Sequence, residues 1–90
     1  MTSITVAHDG RLTHDGRKAE EPFANYLYAV FDDGRRVAEI THTNRGDELS
    51  MRLVGGDWVD AQDGIITGGG PEPVRLTKAG EQLLDTLRGA

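Results

Sequence analysis

Cysteine is absent from the chain of 90 residues, which excludes a disulfide framework, a thiol nucleophile and a zinc–thiolate site. Long apolar runs are missing as well, so no membrane-spanning helix is expected. The first residues carry neither a basic end nor the apolar stretch that a signal peptide needs. We therefore expect a cytoplasmic protein with one small domain over residues 1–90.

Positive charge is scarce, because 10 Lys and Arg face 15 Asp and Glu, for a net charge of −5. Neutralisation of phosphates by basic side chains supplies much of the affinity for nucleic acids, so direct binding of DNA or RNA is not expected. Catalytic motifs are also missing: Ser3 and Ser50, the two serines, lie outside a G-x-S-x-G elbow, and no H-E-x-x-H occurs. The sequence therefore predicts a protein that is not an enzyme and carries no cofactor.

Glycine is abundant, and its pairing with Asp indicates turns. Asp-Gly-Arg occurs at residues 9–11, 15–17 and 33–35. Asp-Gly suits the two central positions of a type I′ hairpin turn. We interpret the first two copies as successive turns in a loop over residues 8–24, preceded by an edge strand with Ile4 and Val6. The third copy predicts a hairpin.

Alternating apolar residues predict an antiparallel meander of three strands over residues 25–54. With a two-residue turn at 33–34, the predicted opposite pairs are Asp32 with Arg35, Leu27 with Ile40, Ala29 with Ala38, and Asn25 with His42. A four-residue loop at 44–47 then places Met51 opposite Ile40 and Leu53 opposite Ala38. In this register the apolar residues of the three strands share one face.

The first of these strands has a competing helical interpretation. Apolar residues with the spacing of a helical stripe are Phe23, Tyr26, Leu27, Val30 and Phe31. Pro22 suits the first position of such a helix. Tyr, Val and Phe favour strands, however, and the hairpin signal explains the residues that follow. We predict a strand.

The C-terminal segment predicts a short strand over residues 73–76 and a helix over residues 78–88, which Thr77 caps and Gly89 ends. The stripe that this helix turns inward contains Gly80, Leu83, Leu84 and Leu87. A glycine early in a helix costs about 1 kcal/mol relative to Ala, which is understandable where the backbone lies close against the sheet. The predicted fold class is α+β, a small antiparallel sheet with one C-terminal helix packed across it.

The segment Arg75-Leu76-Thr77-Lys78-Ala79-Gly80-Glu81-Gln82-Leu83-Leu84 resembles the strand-to-helix step that closes the wing of some winged-helix transcription regulators. The resemblance implies a DNA-binding regulator as one alternative. The rest of the sequence departs from that family, because no pair of amphipathic helices precedes the segment and no basic recognition helix is found. The negative charge also disfavours a surface that contacts DNA.

Metal sites are not predicted from the three histidines or from the aspartates. His8 and His14 each precede an Asp, but two turns do not force these ligands to converge on one point. His42 is expected beside Asn25 and Leu49, as a hydrogen-bonded structural residue. The aspartates after residue 56 are three positions apart, whereas a calcium loop places oxygen ligands at alternating positions.

The strongest regional bias is an acidic segment between Arg52 and Arg75, which contains no Lys or Arg. A candidate surface for a basic partner protein comprises Asp57, Trp58, Asp60 and Asp63, since Trp is enriched among interface hot spots. Two alternatives are open. Trp58 packs under the sheet edge while the aspartates keep the loops soluble, or the acidic strip imitates a phosphate backbone and occupies a nucleic-acid-binding protein.

A second candidate surface lies on the other face of the predicted sheet. Its residues are Tyr26, Tyr28, Val30 and Val37, and a single helix leaves them uncovered. We therefore predict a homodimer or a partner protein on this face. The function that the sequence indicates is a small interaction or regulatory domain that presents a surface to another protein.

Overall fold

The structure is a computed structural model, which describes residues 3–12, 18–19, 25–42, 49–61, 64–69 and 71–89. The elements are β1 (Ile4–Leu12), β2 (Lys18–Ala19), β3 (Asn25–Asp32), β4 (Arg35–His42), β5 (Leu49–Leu53), β6 (Val59–Asp60), β7 (Ile66–Gly69), β8 (Glu72–Leu76) and α1 (Lys78–Gly89). One antiparallel sheet has the order β2-β1-β3-β4-β5-β6, and β7 pairs with β8. The predicted α+β class is confirmed. Within the described ranges, no helix is both long and apolar enough to traverse a membrane.

The β3–β4 hairpin turns at the predicted Asp-Gly pair. Asp33 has φ 52° and Gly34 has φ 82°, so both central residues adopt the positive φ that a type I′ turn requires. Asp32 lies opposite Arg35, as predicted. The strand interpretation of the preceding segment is confirmed over Asn25–Asp32.

Beyond the turn, a β-bulge in β4 makes the predicted register wrong by one residue. Phe31 lies opposite Arg36 and Val30 lies opposite Ala38, so Val37 is the extra residue. The carbonyl of Val37 instead accepts a hydrogen bond of 3.1 Å from the backbone N–H of Val54. The remaining β3–β4 partners shift accordingly, to Ala29 with Glu39, Tyr28 with Ile40, Leu27 with Thr41 and Tyr26 with His42.

This shift moves the second candidate surface onto the core side of the sheet. Val30 is fully buried in the core, and Tyr28 and Val37 pack against that core. Of the face predicted to be uncovered, formed by Tyr26, Tyr28, Val30 and Val37, the last three are therefore covered by the core, and the homodimer prediction loses its basis. The physical reason is period two: a slip of one residue exchanges the faces of every side chain in the strand.

The core lies between the sheet and α1. The β4–β5 register is confirmed, with Met51 opposite Ile40 and Leu53 opposite Ala38. The buried core cluster comprises Val30, Ala38, Ile40, Met51, Ile65, Leu76 and Leu84. The predicted inward stripe of α1 is also confirmed, since Gly80 and Leu84 are buried while Leu83 and Leu87 pack against the cluster. Thr77 caps the helix as predicted, because its Oγ1 accepts a hydrogen bond of 3.1 Å from the backbone N–H of Gly80.

The N-terminal segment forms more strand than the sequence predicts. Ile4 and Val6 belong to a strand, as expected, but β1 continues to Leu12, and β2 covers residues 18–19. The loop prediction for residues 8–24 is wrong for these positions. The first Asp-Gly pair is not a turn: the register of β1 against β3 shifts between His8 and Arg11, which makes Asp9-Gly10 part of a bulge. The second pair, at 15–16, lies outside the described residues.

Candidate functional site

The face of the sheet opposite the core carries a chain of four alternating charges. Glu39 on β4 lies opposite Arg52 on β5, and the Nε and Nη2 atoms of Arg52 each lie 2.8 Å from Oε1 of Glu39. Arg36 donates to the other oxygen of Glu39 and, through Nη1, to Oδ2 of Asp9 at 2.8 Å. We call this face the polar face. The chain of charges crosses the polar face in the order Asp9, Arg36, Glu39, Arg52.

The ion pair of Arg36 with Asp9 crosses a neighbouring strand. Arg36 belongs to β4 and Asp9 to β1, and β3 lies between these two strands in the sheet. Ala29 on β3 is only 1% exposed although it lies opposite Glu39 on the polar face. The long arginine side chain therefore crosses β3 and links β4 to β1.

Of the two carboxylates in this chain of charges, Glu39 is the less exposed, with a side chain that is 13% exposed against 27% for Asp9. Burial by itself would raise the pKa of Glu39, but the hydrogen bonds and charges of Arg36 and Arg52 outweigh it, so the pKa lies below the usual value of a glutamate. Glu39 is therefore ionised at neutral pH and balances the charge of the arginines beside it.

At the end of the chain of charges that lies on β5, Arg52 stacks on Trp58, the only tryptophan in the sequence. The Cζ atom of Arg52 lies 4.4 Å from the centroid of the Trp58 ring, within the range of a cation–π contact. Trp58 is half-buried, and it lies in the connection between β5 and β6. The sequence does not predict this stack, although the predicted β4–β5 register places Glu39 opposite Arg52.

Exposed apolar and acidic residues lie close to Trp58 in the sequence. Val54 is 55% exposed and Val59 is 38% exposed, and they are the large apolar side chains with high exposure in the part of the chain that the structure describes. Asp57 and Asp60 are exposed and flank Trp58 in the sequence, and Oδ1 of Asp60 accepts a hydrogen bond of 3.1 Å from Oγ of Ser50. Asp63, the fourth predicted site residue, lies outside the described residues. We define the Trp58 surface as Val54, Asp57, Trp58 and Asp60. Val59 lies opposite the core residue Met51, on the other side of the sheet from Arg52 and Trp58.

A second group of polar rings lies on the core side of the sheet. The ring centroids of His8 and Tyr28 are 5.5 Å apart, and Tyr26 lies 6.0 Å from both His8 and His42. Burial and the neighbouring Tyr26 raise the pKa of Tyr28. His42 has Leu49 opposite it as predicted, with Tyr26 in the position expected for Asn25.

Metal ligands do not converge in the ranges that the structure covers, where no three His, Asp or Glu side chains are grouped to hold an ion. His14 lies outside those ranges. The strand-to-helix step of residues 75–84 is present as β8 followed by α1, which is the one helix among the described residues.

Comparison of the chain with known protein families, with curated proteins and with solved structures finds no match.

Proposed function

We propose that the protein is an interaction domain that binds a basic segment of a partner protein through the Trp58 surface. The observation that carries this proposal is the exposed Val54 and the half-buried Trp58, with the exposed Asp57 and Asp60 close to Trp58 in the sequence. Exposed apolar side chains with a polar rim are typical of protein-binding surfaces. The carboxylates select a positively charged partner.

The charges around Trp58 support a basic partner. Between Arg52 and Arg75 the chain has four acidic residues and no Lys or Arg. Arg52, the cation stacked on Trp58, is balanced by Glu39 at 2.8 Å, so it adds little repulsion toward a positively charged ligand. Surface charge of one sign raises the rate of encounter with an oppositely charged partner.

The test is binding of a labelled arginine-rich peptide to the full chain at about 0.15 M ionic strength, where weak long-range attraction is largely screened. Trp58→Ala is expected to weaken binding about 30-fold, because hot-spot truncations cost about 2 kcal/mol or more. Asp57→Asn with Asp60→Asn is also expected to weaken binding. Glu81→Gln with Asp85→Asn is the matched control, since both residues are exposed on α1 and the change in net charge is the same. Absence of binding to the wild-type chain, or equal weakening by the two double variants, contradicts the proposal.

Imitation of nucleic acid is the second function that the acidic segment supports. A mimic acts through its carboxylates, whereas the binding surface proposed above depends on the Trp58 ring. Mimicry therefore predicts a large effect of Asp57→Asn with Asp60→Asn and little effect of Trp58→Ala. The same peptide measurements distinguish the two functions.

A further inference from the structure

The orientation of the Trp58 ring depends on contacts outside its own connection. Trp58 lies in a stretch without regular secondary structure between β5 and β6. Arg52, in contrast, belongs to the paired strand β5 and stacks on the ring at 4.4 Å. A planar guanidinium fits against the face of an aromatic ring, which an ammonium group does less well.

Arg52 is in turn fixed by Glu39. Two nitrogen atoms of its guanidinium lie 2.8 Å from one carboxylate oxygen, and both side chains are largely covered, at 25% and 13% exposure. Charge-assisted hydrogen bonds of this kind are stronger than neutral ones and hold the fork in one geometry. Glu39 contacts Arg52 but is not itself part of the Trp58 surface.

We propose that Arg52, held by Glu39, is a positioning residue that presets the Trp58 ring for binding the basic partner. This inference rests on the function proposed above. Less conformational entropy is lost on binding when an interface side chain is already ordered. A Trp58 ring that is held in place therefore increases affinity, even though Arg52 itself does not contact the partner. The pair also removes a repulsive charge from the site, because the carboxylate balances the guanidinium.

The test compares Arg52→Lys with Arg88→Lys in the full chain. Arg88 is a matched control, since its Nη1 lies 2.8 Å from Oδ2 of Asp32 in an ion pair that does not involve Trp58. Near-ultraviolet circular dichroism and fluorescence anisotropy report on the ring directly, because Trp58 is the only tryptophan. Arg52→Lys is expected to reduce the tryptophan dichroism and to weaken binding of the arginine-rich peptide about two- to fivefold. Arg88→Lys is expected to change neither.

Each outcome separates the positioning role from the proposed function. If the wild-type chain binds the peptide and Arg52→Lys retains both its dichroism and its affinity, the positioning role is overturned while the interaction function stands. If the wild-type chain does not bind, the interaction function is overturned, and the inferred role in binding falls with it.

Glu39→Gln provides a second variant in case Arg52→Lys does not fold. This variant keeps Arg52 but removes the carboxylate that holds it. A smaller change of dichroism and affinity in the same direction supports the proposal, and no change contradicts it.

Discussion

Replacement of Gly80 by Ala tests how closely α1 lies against the rest of the fold. A Cβ atom at this position would lie 2.2 Å from the carbonyl oxygen of Ile65 and 3.1 Å from Cδ2 of Leu76. Ordinary van der Waals contact begins near 3.4 Å. The same Ile65 carbonyl accepts the hydrogen bond of 3.0 Å from the backbone N–H of Thr77, immediately before the helix. The added methyl group therefore displaces the helix from the acceptor at its first turn.

Opposing effects determine how much the free energy of unfolding changes in Gly80→Ala. Ala in place of Gly favours a helix interior by about 1 kcal/mol. Overpacking typically costs about 1–3 kcal/mol, and the weakened hydrogen bond at Ile65 costs about 1 kcal/mol more. The clash dominates, since backbone atoms cannot rotate away as a flexible side chain can. We expect a net loss of about 2 kcal/mol, which corresponds to a decrease of roughly 8–16 °C in Tm for a domain of this size.

The assay is urea unfolding followed by far-ultraviolet circular dichroism, with Gly89→Ala as the control. A Cβ atom at Gly89 would have no heavy atom within 4 Å, and Gly89 lies in the same helix. Its replacement is expected to leave the free energy of unfolding within about 0.5 kcal/mol of the wild-type value. A Gly80→Ala variant as stable as the wild-type chain, or more stable, would refute the close approach of α1 to Ile65.

Two further predictions concern the charge chain and the helix cap. Because the pKa of Glu39 is lowered in the folded state, its contribution to stability is present above the pKa of an unfolded glutamate, about 4.3, and is lost as the pH falls through the folded value. The stability difference between wild type and Glu39→Gln should therefore shrink on acidification in urea unfolding at several pH values, and a constant difference would contradict the role of the carboxylate. Thr77→Ala should cost about 1–2 kcal/mol, since the Thr77 hydroxyl accepts from Gly80 and donates to Gly64 at 2.6 Å. Thr86→Ala, which removes only an exposed bond within the helix, should be neutral or slightly stabilising in the same assay, and equal costs would exclude a capping role.

The Trp58 surface was predictable in part. The acidic bias and the single tryptophan are visible in the sequence, and the structure places Asp57 and Trp58 in the β5–β6 connection and Asp60 in β6. The contribution of Val54 was not predicted, because an isolated valine in a sequence does not reveal its exposure. The stack of Arg52 on Trp58 was not predicted either, since it depends on the path of a connection without regular structure.

The sequence by itself determined the features that depend on a few neighbouring residues. The Asp33-Gly34 turn, the Thr77 cap and the apolar stripe of α1 follow from local conformational preference and hydrogen bonding, and alternation was sufficient to align β5 with β4. Each of these features depends on residues within one turn or one strand. It can therefore be predicted without knowing which other elements pack against it.

Only the tertiary structure decided which face of β3 enters the core. The bulge at Val37 places Val30 and Tyr28 on the core side and leaves Leu27 and Ala29 on the other, where the opposite residues are Thr41 and Glu39. Both faces of β3 carry apolar side chains, so alternation alone does not choose between them. The choice depends on how the whole sheet packs beneath α1, and it also fixes the charged face that leads to Trp58.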